Sequence, residues 1–386
     1  MSRNNKLVFW SMLVWGIGEG LWWYLLPIYI GNLGASPAQI GLVLSTAMIL
    51  MTISFIPSGW LADHFSRRTI MIVGWVDGFI AILVLAMAHT WQQALPGLIL
   101  YNLSAFNMPA INSYVTHEIR PGEDMRRTFT LVFSGFTIGV IFSPSLGGIL
   151  ADVISLRKVF LLAAVVYAIS TALIVQIREQ PVSRISPENG AAPLQRNGLF
   201  LALCFLFFFI LLACHLGVPL APNFLQDVRK LDLGWIGILG SANGLGGAVL
   251  TIGLGRWPKG RIASVLLSQM AVAIYAIIML LTGFVPLLAL GFFLRGAVGA
   301  VRQLGGARLG EMMPPASMGL GYGIYQTVVN LAFTISPYVA GWLFAHDPTY
   351  PFVANLLMLI PAMLLTVLIG RRGPAHGAQS LAASSP

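Results

Sequence analysis

The chain has 386 residues, of which 57% are hydrophobic and only 9% charged, and its formal net charge is +9. A water-soluble domain carries about a quarter charged residues to cover its core, so a soluble enzyme or binding module is excluded. The apolar residues come in continuous blocks rather than short alternating segments, which excludes a membrane β-barrel and leaves an all-α integral membrane protein.

Twelve blocks are long enough to cross the hydrocarbon as helices: 8–30, 38–62, 68–88, 91–118, 128–150 and 157–177, then 198–222, 233–255, 262–284, 286–312, 318–345 and 351–370. Between the sixth and seventh lies REQPVSRISPENGAAPLQRN (178–197), a linker rich in Pro, Ser and Asn. The expected organisation is a six-helix half (1–177), a cytoplasmic linker (178–197), a second six-helix half (198–372) and a small, polar, disordered tail (373–386). The first block follows Arg3 and Lys6 but carries Glu19 in its middle and leads straight into the second, so it reads as a retained span, not a cleaved signal peptide.

Orientation follows from the basic residues of the short loops. With the N-terminus inside, about 16 Lys and Arg fall on the cytoplasmic side and about four on the other, namely Arg157, Lys158, Arg229 and Lys230. Both termini are therefore expected in the cytoplasm, and the positive charge reports topology, not nucleic-acid binding. Cys204 and Cys214 stand on one helix about 15 Å apart at 1.5 Å per residue, too far for a disulfide.

Shifted by 193 residues, 118–150 falls on 311–343 without a gap. Glu118/Glu311, Pro121/Pro314, Met125/Met318, Ser143/Ser336, Pro144/Pro337, Gly148/Gly341 and Leu150/Leu343 coincide, where usual residue frequencies would give about two or three matches. A shift of 196 also brings Gly59 onto Gly255. Duplicated halves that bind solute between them are a plan of many secondary transporters.

Residues 59–68, GWLADHFSRR, sit between the second and third blocks. With the six-plus-six plan, they resemble the major facilitator superfamily, which carries Gly-x-x-x-Asp-basic-x-Gly-Arg-basic at this loop. Gly59, Asp63, Arg67 and Arg68 match; His64 and Ser66 depart from the pattern. Pro27, Tyr29 and Ile40-Gly41-Leu42 fit as well, and Gly139 followed by SPSLGG (143–148) resembles the antiporter-type Gly-Pro-x-x-Gly-Gly motif of the fifth helix, with Pro144, Gly147 and Gly148 in place and Ser143 substituted. The resemblance covers the whole chain. It implies a gating role for the loop: Asp63 near the positive end of the eleventh helix, and Arg67 or Arg68 paired with Glu118, Glu123 or Asp124, latching the outward-open state. The copy at 255–261, GRWPKGR, lacks the Asp, so the latch is expected on one side alone.

Four charges remain at bilayer depth: Glu19, Asp77, Arg295 and Arg302. Each is costly there without a partner or a wet cavity. The resemblance puts spans 1, 4, 7 and 10 around the central cavity, which makes Glu19, Arg295 and Arg302 candidates and Asp77, on the third span, a weaker one. Trp15, Trp22 and Trp23 share the helix face of Glu19, and a carboxylate among aromatic faces suits a cation and can also carry a proton. A structural ion pair between Glu19 and an arginine of the tenth span is the competing reading. Arg295 and Gly299 resemble the family's Arg-x-x-x-Gly motif but lie in the opposite half from its usual place, where Asn102 stands instead. Asn102, Asn107, Asn112, His215, Gln326 and Asn330 are neutral candidates for reading a solute's shape, and Pro109, Pro144 and Pro337 are expected to kink their helices.

No phosphate-binding loop and no Cys/His cluster of metal spacing is present, so neither ATP, a cofactor nor a metal is expected, and the protein is not read as an enzyme. The expectation is a monomeric, multi-pass secondary transporter of the cell membrane, working by alternating access, with protons and a small organic solute as partners. Proton-coupled efflux of amphipathic or cationic compounds leads. A proton-coupled carrier of organic carboxylates, held by Arg295 and Arg302, is the alternative, and a non-transporting receptor or scaffold is a third.

Overall fold

The computed structural model describes residues 1–119, 123–180, 198–257, 261–310 and 318–370; the side chains of 54–64, 126, 261, 318–320 and 370 lie outside that description. Gly59 and Asp63 of the loop signature, the tail and most of the linker are thus outside it. Among the described residues every regular element is a helix. Ten helical segments are long and apolar enough to cross a membrane, and Pro37–Ile53 adds a shorter apolar helix.

In the first half, α1 (Arg3–Trp22) passes through a 3-10 turn at Trp23–Leu25 into α2 (Leu26–Asn32). Then come α3 (Pro37–His64) and α4 (Arg67–Met87). α5 (Trp91–Leu103) is joined through a 3-10 turn at Ser104–Asn107 to α6 (Met108–His117), and α7 (Met125–Ile154) and α8 (Leu156–Ile174) complete the half. The second half runs α9 (Gly198–His215), α10 (Ala221–Asp227), α11 (Leu233–Gly255), α12 (Arg261–Leu281), α13 (Val285–Arg295), α14 (Val298–Gly310), α15 (Met318–His346) and α16 (Tyr350–Gly370).

The interruptions fall on the first, fourth, seventh and tenth expected spans. Pro27, Pro109 and Pro222 each stand at the first or second position of the helix that resumes. Proline has no N–H to donate and a preset φ, so it begins a helix more easily than it continues one. In the tenth span the break comes at Gly296, after Arg295. Pro144 and Pro337, expected as kinks, lie inside the continuous helices α7 and α15. Helix starts are satisfied locally where the sequence provides a hydroxyl: Ser66 Oγ accepts from the Thr69 N–H at 3.1 Å, and Thr90 Oγ1 from that of Gln93 at 3.4 Å.

Burial shows how the halves meet. One apolar cluster runs through both of them, from Leu21, Ile40 and Phe160 to Phe224, Ile236 and Phe344. Two others stay within single halves: Val8, Met71, Tyr114 and neighbours in the first, Phe207, Val301, Tyr325 and neighbours in the second. The bundle is therefore fused toward one end and divided toward the other, the end bearing the N-terminus. Exposed apolar side chains such as Phe142, Val153, Leu281 and Leu357 form the outer face, as suits contact with lipid.

The fused end is sewn by two equivalent seams. A Cβ built on Gly148 of α7 would lie 2.2 Å from the Leu233 carbonyl oxygen of α11, and one on Gly237 would lie 2.2 Å from that of Pro144. Between α15 and α3, a Cβ on Gly41 would lie 2.3 Å from the Pro337 oxygen, and one on Gly341 2.6 Å from that of Pro37. The sequence shift of 193 relates Pro144 and Gly148 to Pro337 and Gly341, and the shift of 196 relates Pro37 and Gly41 to Leu233 and Gly237. Polar contacts reinforce both seams. Asp152 accepts the Leu233 and Gly234 N–H groups at 3.0 and 2.7 Å, capping α11 from the other half, where Asp232 at the N-cap makes no side-chain bond of its own. Ser145 donates to Ser241 at 2.6 Å, Ser45 to the Thr334 carbonyl at 2.6 Å and Asn223 to that of Pro27 at 3.3 Å.

Gly148→Val places a branched side chain against backbone atoms that cannot rotate away. Overpacking of this kind costs about 1–3 kcal/mol, so the detergent-purified variant should melt several degrees lower. An unchanged melting temperature would mean that α7 and α11 do not approach this closely.

Candidate functional site

Where the halves part, a cavity of about 520 Å³ opens between them. The first half contributes Trp15, Glu19, Trp23, Met48, Tyr101 and Asn102 among others, and the second half Arg302, Asn330 and Phe333. Seven of the residues singled out from the sequence thus share one wall system: Trp15, Glu19, Trp23, Asn102, Asn107, Arg302 and Asn330.

Glu19 lies in the last turn of α1, just before the 3-10 turn. The Tyr101 hydroxyl donates to its Oε2 at 2.5 Å, and Trp15 stands beside it in the cavity wall. Trp15 stacks on Tyr167 at 4.2 Å and meets Trp75 edge-on at 5.3 Å. Tyr101 lies 4.9 Å from Trp22 and 5.7 Å from Trp23. The carboxyl is therefore set in an aromatic wall by a neutral donor. Neither Arg295 nor Arg302 forms an ion pair with it, so the competing structural pairing is absent among the described residues.

Trp22 departs from expectation. It is fully buried, its N–H donates to the Tyr167 hydroxyl at 3.3 Å, and its ring lies 5.5 Å from Phe160. The turn to 3-10 geometry at Trp23 rotates the two tryptophans apart, so Trp23 faces the cavity and Trp22 the core.

Asn102 donates to the Leu98 carbonyl at 2.8 Å, whereas the Asn330 amide nitrogen is buried without a partner. Arg302 is exposed into the cavity. Asn107 joins the lining; Asn112, on the exposed side of α6, does not. Gln326 lines neither this cavity nor the smaller one beside it. That second cavity, about 230 Å³, takes Arg295 and His215 away from Glu19 and shares Trp23, Met48 and Phe333 with the first. His215 Nδ1 lies 2.5 Å from Ser336 Oγ. Asp77 is half-buried on α4 and lines neither cavity.

Tyr101 carries the most direct contact to Glu19, and sequence reasoning passed over it. Its signal was its position, next to Asn102 on a span expected at the cavity. The wall also includes Met12, Met48, Met51 and Met108. Methionine side chains are flexible and polarisable, and they adapt to differently shaped ligands.

The arginines of the loop signature, expected to latch onto carboxylates in the outward-open state, make other contacts in this arrangement. Arg68 donates to the Ile177 and Val175 carbonyls at 2.7 and 2.9 Å, and Arg67 to Gln180 at 3.4 Å. Gln180 in turn donates to Glu118 at 3.3 Å, so an amide stands between the arginine and the carboxylate. The free carbonyls at the end of α8 attract the guanidinium directly, which ties the start of α4 to α8 within the first half. The antiporter-type motif is a packing element: a Cβ on Gly139 would lie 2.6 Å from the Leu13 oxygen and one on Gly147 2.1 Å from that of Leu21, so α7 is clasped by α1 on one side and by α11, through Gly148 and Pro144, on the other. Both cysteines are buried and free, and among the described residues no group of His, Cys, Asp or Glu is placed to hold a metal.

The profile of the Major Facilitator Superfamily matches residues 8–285 and again 203–385. The multidrug resistance protein MdtG of Proteus mirabilis (strain HI4320) is 24% identical over 372 residues, covering 92% of this chain and 87% of that protein. The quinolone resistance protein NorA of Staphylococcus aureus (strain Mu50 / ATCC 700699) is 22% identical over 154 residues, 40% of this chain and 39% of that one. The crystal structure of the nucleoside transporter NupG superposes over 96% of this chain and 98% of that chain with a TM-score of 0.77 at 16% identity, a likeness of fold.

The geometry predicts one-sided access. In a Cys204→Ser/Cys214→Ser background, Thr52→Cys should react with a membrane-impermeant maleimide applied at the face bearing the N-terminus. Ala340→Cys, in the fused core, should react far more slowly from either face. Equal reactivity of the two would contradict a cavity closed at the seams.

Proposed function

The chain belongs to the major facilitator superfamily of multi-pass membrane transporters, and we propose that it exports amphipathic organic cations in exchange for protons. The observation that carries this reading is the setting of Glu19, a carboxyl in the wall of the cavity between the halves. The Tyr101 hydroxyl holds it, among the described residues no cationic side chain pairs with it, and Trp15, Trp23 and Tyr101 stand around it. An organic cation there gains Coulomb attraction from the carboxylate and cation–π attraction from the rings, both strengthened by exclusion of water.

One carboxyl can serve either a proton or the cation. Protonation removes the charge that holds the cation, and a bound cation disfavours the proton. Exchange follows from this mutual exclusion when the cavity opens alternately to the two faces. Tyr101 keeps the carboxyl in place through both states. With the basic loops in the cytoplasm, the present arrangement is inward-facing; the outward state requires the two glycine seams to part and the other ends of the halves to close. The methionine and tryptophan wall favours a range of apolar cations over one shape, and the names of the relatives MdtG and NorA agree with a drug-exporting role. The protein acts as a monomer in the cell membrane.

In proteoliposomes with an imposed pH gradient, Glu19→Gln should abolish proton-driven cation flux and weaken cation binding about tenfold or more, the equivalent of roughly 1.4 kcal/mol. Tyr101→Phe should retain flux at a reduced rate. Undiminished proton-driven flux in Glu19→Gln would remove this carboxyl from the coupling scheme.

A further inference from the structure

The smaller cavity holds Arg295 and, among the described residues, no acidic side chain, whereas the larger holds Glu19 together with Arg302. Arg295 ends α13 at the break in the tenth span, and its guanidinium enters this space. Two of its nitrogens, Nε and Nη1, are buried with no hydrogen-bond partner. Tyr24, in the 3-10 turn of the first span, also lines the cavity, and its hydroxyl is buried without a partner. Tyr24 reaches across the halves: its ring packs edge-on against Phe292 at 6.0 Å, and a Cβ on Gly240 would lie 2.8 Å from it. Arg295 acts electrostatically on Tyr24, Tyr275 and His215. Pro27, Pro219, Pro222 and Pro337 make much of the remaining wall and have no N–H to donate. No acidic side chain is among the described lining residues.

An unpaired guanidinium at membrane depth is unfavourable by several kcal/mol unless an anion or water reaches it. Its planar fork matches a carboxylate, whose two oxygens can accept from two nitrogens at once, and Tyr24 adds a third donor. Trp23, Met48 and Phe333 belong to both cavities, so one elongated solute can occupy the two together.

We propose that the smaller cavity is a carboxylate subsite, in which Arg295 and the Tyr24 hydroxyl take an acidic group carried by the transported solute, so that the preferred solute is amphoteric, with its cation at Glu19 and its carboxylate at Arg295. The cationic half of this statement rests on the function proposed above; the anion subsite rests on Arg295 and Tyr24 alone.

A matched pair of probes separates the two. One is a cationic xanthene dye bearing a free benzoic acid, and the other is its ethyl ester, which keeps the cation and lacks the anion. Binding to the purified full-length protein is read by isothermal titration and by quenching of tryptophan fluorescence. The acid form should bind at least about tenfold more tightly than the ester, as expected for hydrogen bonds to a charged group. Arg295→Gln should bring the acid-to-ester affinity ratio close to one, Tyr24→Phe should reduce it several-fold, and Arg295→Lys should retain part of it. Each variant's size-exclusion profile checks that it is folded, and Tyr24→Phe keeps the test available if Arg295→Gln is not.

An ester that binds wild type as tightly as the acid overturns the subsite while leaving the cationic reading intact. If neither dye binds, the cationic reading fails, and thermal stabilisation by benzoate decides the subsite. Stabilisation of wild type but not of Arg295→Gln supports it, and none in wild type overturns it. If chloride gives the same Arg295-dependent stabilisation as benzoate, the site takes inorganic anions and its assignment to a solute carboxylate is overturned.

Discussion

The close approach of helix backbones at the fused end governs the rest of the structure. Without a hydrophobic drive between helices in lipid, association depends on packing, and small residues let main chains come together. Here Gly148 and Gly237 seat α7 against α11 while Gly41 and Gly341 seat α3 against α15, each glycine facing a carbonyl oxygen of the other half. Contacts between a glycine Cα–H and a carbonyl oxygen are individually weak, and they lie along two lines related by the internal duplication. Such seams resist shear along the helices more than separation of their faces. Asp152, which caps α11 from the opposite half, adds a directional bond that must break when the seam opens.

The seams leave the cavity in the divided part of the bundle, and the broken spans decide what enters it. Continuous helices would present one side-chain face along their whole length. The 3-10 turn at Trp23–Leu25 changes that phase, sending Trp22 into the core, Trp23 into both cavities and Tyr24 across to the second half. The break after Arg295 places its guanidinium in the smaller cavity, while Arg302, one helix segment later, faces the larger. Glu19 and Arg302 thus share the larger cavity without forming an ion pair, and Arg295 stands apart in the smaller one. A structural ion pair would have filled the space with protein; separation leaves each charge available to a ligand.

The sequence by itself determined the solvent, the number of apolar blocks, the duplication and the family. Charge scarcity and block length leave few alternatives for a chain that must satisfy its backbone within a bilayer. Of the positions that coincide under the two shifts, Pro144/Pro337, Gly148/Gly341 and Gly41/Gly237 form the seams, so part of the repeat was legible in chemistry as well as letters. Glu19, Trp15, Trp23, Asn102, Arg302 and Asn330 were also legible as cavity residues, because polar groups at membrane depth need a wet or paired setting and the face periodicity of α1 groups the rings with the carboxyl.

Only the tertiary structure decided which of these residues meet. Helical spacing places Trp22 on the face of Glu19, but one 3-10 turn redirects it. Arg295 and Arg302 are seven residues apart and would share a face of a straight helix, but the break at Gly296 assigns them to different cavities. Tyr101, ordinary in its own segment, becomes the partner of Glu19 because the fold brings its hydroxyl to that carboxyl. Arg67 and Arg68 turned to an amide and two carbonyls at the end of α8 rather than to carboxylates. In each case the deciding quantity is a local departure from regular helix or a contact between distant segments, and periodicity along the chain encodes neither.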